Sequence, residues 1–170
     1  MPPIHVLIVM GVSGSGKTTI GRLLAERTGW AFHDADDYHG VDNIAKMRIR
    51  IPLTDEDRIP WLETLWRHVV APSLETGKPA ILACSALKTA YLERLGAADP
   101  RVRVICLKGD FNLIRERMEH RAGHFMGADM LASQFAALEE PENALVFDVA
   151  NPPQAIVDEI IRRIDLPRSP

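Results

Sequence analysis

Apolar and polar positions follow two rhythms along this chain, and each rhythm predicts a different kind of element. Ile4–Met10 is a run of strand length, apolar except for His5, followed by a glycine-rich stretch and a helical pattern over Lys17–Thr28. A short second strand is predicted at Trp30–His33, running into the acidic string Asp34-Ala35-Asp36-Asp37. Weak helical character over Ile44–Ile49 precedes a clear apolar stripe at i, i+3, i+4, i+7 and i+8, made by Leu62, Leu65, Trp66, Val69 and Val70. Pro60 is expected in the first turn of that helix, where proline is tolerated, and Trp61 and Trp66 are expected to pack in the core. Further strands at Ala80–Cys84, Val102–Leu107 and Leu145–Asp148 alternate with helical segments at Lys88–Leu95 and Phe111–His120. Leu131, Phe135 and Leu138 mark another helical face, and Ile156, Ile160, Ile161 and Ile164 mark the last.

Strands separated by helical crossovers imply an α/β fold, a parallel five-stranded sheet with helices on both faces. Such sheets bind ligands at the carboxyl ends of their strands, so function is expected just after each strand. Neither a repeat nor a low-complexity linker divides the 170 residues, which predicts one domain over 1–170.

Composition narrows the partners. The net charge is −3 without a dense Lys/Arg block, which argues against nucleic acid and against a membrane surface. No apolar run reaches the roughly 18 residues of a membrane span. The opening MPPIHVLIVMG lacks a basic leader and reads as a strand. Cys84 and Cys106 fall in or at the end of apolar strand-like runs and are expected to be buried and reduced, consistent with a cytoplasmic protein.

The chemistry begins at Gly11-Val12-Ser13-Gly14-Ser15-Gly16-Lys17-Thr18-Thr19. It matches G-x-x-x-x-G-K-[ST] in full, between a strand and a helix, and the expected ligand is the triphosphate of ATP. Glycines let successive N–H groups turn toward phosphate oxygens, and the helix N-terminus adds partial positive charge. Lys17 is placed to reach the β- and γ-phosphates, and the Thr18 hydroxyl to ligate Mg²⁺.

A phosphate loop alone leaves the class open. Asp37-Tyr38-His39-Gly40 spells D-x-x-G, but no N-K-x-D guanine motif occurs, and the strand Ala80–Cys84 ends in Ser85 instead of an acid. These absences favour a compact small-molecule kinase over a GTPase switch or a larger ATPase. Asp34 is then the candidate metal ligand, and Asp36 the acid that takes a proton from an acceptor hydroxyl; the plainer alternative is an acidic turn that caps the next helix. Arg117 and Arg121, at i and i+4, suit stacking on adenine and clamping a transferring phosphoryl group, unless they belong to an ordinary charged helix. Gly123 and Gly127 suggest that about 121–130 forms a small lid.

Together these residues resemble the gluconokinases, small P-loop kinases related to shikimate kinase and the nucleoside monophosphate kinases. The resembling segments include the glycine loop, Asp34-x-Asp36 with His39, Asn43-x-x-Lys46-Met47 and Pro52-Leu53-Thr54-Asp55-x-Asp57-Arg58-x-Pro60-Trp61-Leu62. Cys84-Ser-Ala-Leu-Lys88-x-x-Tyr91, Leu107-Lys-Gly109 and Arg121-x-Gly-His124-Phe125-Met126 through Ser133-Gln134-Phe135-x-x-Leu138-Glu139 complete them. The resemblance implies a three-layer P-loop kinase fold, transfer of the ATP γ-phosphate to the 6-hydroxyl of D-gluconate, and a homodimer. It implies a sugar-acid pocket containing Arg58, with His39, Lys88, Tyr91 and His124 as further contacts. Shikimate- or nucleotide-type acceptors, and a regulatory module with weak turnover, are the competing readings. Arg50 stands where the family commonly has glycine, Leu92 where it has arginine, and Ala35 where it has glycine. Arg94 or Lys88 must therefore cover the arginine's role, or selectivity has shifted.

Overall fold

The computed structural model describes residues 2–121 and 127–170. Its strands are β1 (Val6–Met10), β2 (Ala31–Asp34), β3 (Ala80–Ala83), β4 (Val102–Lys108) and β5 (Leu145–Asp148). They form one sheet in the order β2-β3-β1-β4-β5, and every neighbouring pair is parallel. The helices are α1 (Lys17–Thr28), α2 (Val41–Arg48), α3 (Asp55–Leu65), α4 (Ala71–Thr76), α5 (Thr89–Arg94), α6 (Phe111–Glu119), α7 (Ala128–Ala137) and α8 (Pro153–Ile164).

The period-two alternation of the strands sorts the core into two layers. Val6, Ile8 and Met10 pack with Trp61, Leu62, Leu65 and Leu92 on one face of the sheet. Leu7 and Val9 pack with Ile20 and Leu24 of α1, Ile114 of α6 and Ile156, Ile160 and Ile161 of α8 on the other. All five β1 residues are fully buried, which explains why this strand reads as a continuous apolar run. Burying one such side chain stabilises by about 1.5–3 kcal/mol, so the loop that follows β1 is held by the most fully buried strand of the sheet. β1 lies between β3 and β4, and its carboxyl end opens into the crevice where chain connections leave in opposite directions.

The helical stripe begins earlier than its apolar pattern. α3 starts at Asp55, so Pro60 lies inside the helix, not in its first turn. The start is set by a capping box: the Thr54 hydroxyl accepts from the Asp57 N–H (3.1 Å), and the Asp57 carboxylate accepts from the Thr54 N–H (2.9 Å). Trp66 is likewise not a core residue, with 39% of its surface exposed. A π-helical turn over Trp66–Val70 rotates the chain less per residue than an α turn, which brings Val70 into the core and leaves Trp66 at the margin, over Gly96.

Arg50 makes a glycine-type turn. It takes φ +60 just after α2, where its N–H donates to the Met47 carbonyl (3.2 Å) and the Ile51 N–H donates to the Lys46 carbonyl (2.9 Å). This is the helix-ending pattern that ordinarily favours glycine, and arginine bears a steric cost there. Arg50→Gly is expected to raise the unfolding free energy by about 0.5–1 kcal/mol, read as a higher urea midpoint.

Candidate active site

The glycine loop turns over the carboxyl end of β1. Gly16, the N-cap of α1, takes φ +98, a conformation open to glycine and strained for other residues. At Gly11 the reason is proximity: a Cβ there would meet the Leu107 carbonyl at 2.9 Å and the Ser15 hydroxyl at 2.6 Å. Lys17 folds across the loop, its Nζ donating to the carbonyls of Gly11 (2.9 Å) and Val12 (3.0 Å). Burial lowers the proton affinity of this ammonium, and the Asp36 and Asp34 carboxylates act against that shift. Ser15 borders a cavity, and its hydroxyl is buried beside Gly11 with no hydrogen-bond partner among the described residues.

That cavity, about 460 Å³, lies beside the loop and takes Gly14, Ser15, Gly16 and Thr19 as one wall. Arg117 and Arg121 form a second wall at the end of α6, and Val149–Pro153, the loop after β5, a third. Its size and apolar lining suit a nucleoside, and the loop's N–H groups lie at its phosphate end. Both arginines are exposed at its edge.

The Asp34–Asp36 turn faces the loop. Thr18 Oγ1 donates to Asp34 Oδ2 (3.1 Å), while Asp34 Oδ1 accepts from the Asp36 N–H (3.0 Å). Asp34 therefore serves both readings, capping a short 3-10 turn (Ala35–Tyr38) and standing beside the Thr18 hydroxyl. Two hard oxygen donors at the phosphate end fit Mg²⁺. Among the described residues no group of three or more His, Cys, Asp or Glu side chains gathers to hold a metal, so phosphate and water would supply most of its ligands. Cys84, just before the Ser85 position where an ATPase would carry its acid, is buried and its thiol is pushed up to about 12, so it stays uncharged.

A second cluster lies on α3 and α5. Arg58 Nη1 donates to the Leu53 carbonyl (2.7 Å) and to the Tyr91 hydroxyl (3.3 Å), and the guanidinium lies 5.5 Å from the Tyr91 ring centre. Tyr91 in turn donates to Asp55, which also accepts from Lys88 (2.8 Å). Arg58 is half-buried and is not spent on Asp57, whose carboxylate pairs with Lys46 (2.8 Å). Leu92 points into the core, and Arg94 is exposed at the end of α5. Lys88, not Arg94, is thus the cation that joins Arg58 and Tyr91.

His39 links the two halves. Its ring stacks on Trp61 at 4.3 Å, and the Trp61 indole N–H donates to the Ala35 carbonyl (2.7 Å), which ties the acidic turn to α3. Asn43 Nδ2 donates to the Asp57 carbonyl (2.9 Å), so the same amide nitrogen, 3.2 Å from His39 Nδ1, makes Nδ1 an acceptor and leaves the proton on Nε2. Burial first, and the nearby Arg58 charge second, lower the His39 pKa from the usual 6.5 to about 4. The unfolded chain therefore binds more protons than the folded one between these values, and stability falls as pH drops through that window. The urea midpoint of His39→Gln is expected to fall less than that of the wild type between pH 7 and pH 5.

The structure thus brings together the loop, Asp34 and Asp36, and gathers Arg58, Lys88 and Tyr91 on the acceptor side; residues 122–126 of the 121–130 segment, His124 among them, lie outside the described residues. Asn43, Asp55 and Gln134 lay in legible motifs and Val149–Asn151 just after a predicted strand, but no individual role was assigned to them from sequence; here the Gln134 amide oxygen accepts from the Ser13 N–H (2.7 Å), and the stretch after β5 borders the cavity.

Comparison with known proteins agrees with this geometry. Residues 13–165 match the family model described as shikimate kinase. A probable gluconokinase of Mus musculus is 46% identical over 153 residues, covering 80% of this chain and 83% of that protein. The thermoresistant gluconokinase of Escherichia coli K12 is 40% identical over 164 residues, covering 94% and 93%. A crystal structure of a gluconokinase from Sinorhizobium meliloti superposes with a TM-score of 0.85 at 37% identity, over 96% of this chain and 94% of that one.

Proposed function

From a chain that belongs to the shikimate kinase family, and within it to the gluconokinases, we propose a reaction in which both clusters act on one phosphoryl group. The protein is an ATP-dependent gluconokinase, which phosphorylates D-gluconate. The observation that carries the reading is the joining of two half-sites by the acidic turn. At one end Asp34 accepts from Thr18 of the loop (3.1 Å); at the other the Ala35 carbonyl accepts from Trp61 (2.7 Å), on the helix that carries Arg58, and His39 stacks on the same indole.

In the donor half, the loop from Gly11 to Thr19 holds the triphosphate, and Arg117 borders the base. Lys17 stabilises charge on the transferring phosphoryl, with Arg121 approaching from the cavity's other wall. Thr18 and Asp34 are the residues that would hold Mg²⁺, which when bound neutralises phosphate charge. In the acceptor half, Arg58 and Lys88 take the gluconate carboxylate, since a guanidinium fork matches two carboxylate oxygens. Tyr91 and the His39 Nε2–H address hydroxyls along the chain, and His124 is assigned to the same side. The acceptor's 6-hydroxyl oxygen attacks the γ-phosphorus in line as its proton passes to Asp36; the bond to the bridging oxygen breaks and ADP leaves. Asp34 remains a bystander to the proton, held by Thr18 and the Asp36 N–H.

We further propose a homodimer acting in the cytoplasm, on the strength of the family resemblance; no described helix is long and apolar enough to cross a membrane. Steady-state transfer from ATP to gluconate, shikimate and nucleoside monophosphates tests the assignment. Gluconate is expected to have the highest kcat/KM, and equal or better use of either competitor would reject it.

A further inference from the structure

Gln134 uses both ends of its amide on one loop residue. Its Oε1 accepts from the Ser13 backbone N–H (2.7 Å) and its Nε2 donates to the Ser13 hydroxyl (3.0 Å), a contact between residues 121 apart in sequence. The backbone N–H can only donate, so the orientation of the amide is determined. Ser13 lies at the turn of the phosphate loop, and Gln134 is half-buried on α7.

The same stretch of chain grips the acceptor side. α7 ends at Ala137, and two residues later the Glu139 N–H donates to the Leu87 carbonyl (2.7 Å), while its carboxylate accepts from the Thr89 N–H (2.9 Å). Thr89 is the first residue of α5, the helix that carries Tyr91 and follows directly on Lys88. The carboxylate sits at that helix's N-terminus, where negative charge is favoured. Between these two grips, Phe135 packs edge-on against Phe111 of α6, 5.5 Å between ring centres, and Leu138 packs against both core layers. The strut is therefore anchored in the core at its middle and hydrogen-bonded to a different half-site at each end.

We infer that Gln134 and Glu139 are positioning residues of one strut, which sets the separation between the donor loop at Ser13 and the acceptor helix at Thr89. Neither side chain contacts the reacting atoms. Their effect falls on the alignment of the acceptor hydroxyl with the γ-phosphorus, to which in-line transfer is steeply sensitive. Loss of either grip leaves the phosphate loop and the Arg58 cluster each able to bind its own substrate, with the two less well aligned.

This inference rests on the kinase reading above, and the experiment separates the two. The wild type is assayed for ATP-dependent phosphorylation of gluconate; absence of turnover rejects the kinase reading itself. Given wild-type turnover, Gln134→Ala and Glu139→Ala are each expected to lower kcat about 10-fold, with dissociation constants for ATP and gluconate within about 2-fold of the wild type. Glu139→Gln, which keeps an acceptor for the Thr89 N–H, is expected to recover most of the lost kcat. Should Gln134→Ala fail to fold, the Glu139 pair carries the same test from the other end. An unchanged kcat in folded variants overturns the proposal, as does a loss of kcat matched by a loss of substrate affinity.

Discussion

Asp36→Asn is expected to lower kcat by about 10²–10⁴-fold while the dissociation constant for ATP changes little. Asparagine keeps the shape of the side chain and the backbone N–H that donates to Asp34, so the turn and the Thr18 contact survive. What is lost is the carboxylate that takes the proton as the acceptor oxygen attacks. A second consequence follows from the field around Lys17. Burial lowers the lysine's pKa, and Asp36 is the largest influence raising it. Removing that charge drops the lysine's proton affinity further, so the alkaline limb of any residual activity should move to lower pH. A single-turnover assay with a parallel ATP titration reads both effects. Loss of ATP binding in place of turnover would place Asp36 in the donor site and contradict its assigned role.

Lys17→Met has the other large expected effect, a fall in kcat/KM for ATP of about 10³-fold or more. Here both binding and transfer suffer, because the ammonium also tethers the loop through the Gly11 and Val12 carbonyls. Lys17→Arg is not expected to rescue it. The guanidinium is planar and broader, and in a site where burial already disfavours charge it cannot reproduce one compact donor reaching two carbonyls. Equilibrium binding of a non-hydrolysable ATP analogue, measured beside turnover, separates loop disruption from lost charge stabilisation. Near-normal turnover in either variant would mean that the cation at the phosphoryl group comes from elsewhere.

Much of the donor half was legible in the sequence because it is local. Gly11 through Thr19 holds its ligand groups within one loop, and the burial of β1 made the preceding strand equally plain. The acidic turn was legible as two alternatives, and Asp34 caps the 3-10 turn while also accepting from the Thr18 hydroxyl. The start of α3 was hidden because Asp55, Glu56 and Asp57 lack apolar residues; only the Thr54–Asp57 capping box marks it. Trp66 was misplaced because a π turn changes the helical period in the middle of the stripe, and no residue pattern signals it. Gln134 stood in a legible motif and Val149–Asn151 just after a predicted strand, yet their roles were hidden for a different reason. Their partners lie far away in sequence, and neither an amide nor a short apolar loop shows by itself what it will touch. The Leu92 departure, by contrast, loses its force once Leu92 is seen in the core and Lys88 beside Tyr91.

Phosphorus NMR of a reaction containing the protein, ATP, Mg²⁺ and D-gluconate shows whether the phosphate loop and the Arg58-centred sugar-acid cluster serve one in-line transfer. The expected result is one new phosphomonoester, on the terminal 6-carbon of gluconate, formed in step with ADP. ADP accompanied only by inorganic phosphate, or a phosphate carried on another gluconate oxygen, would contradict it.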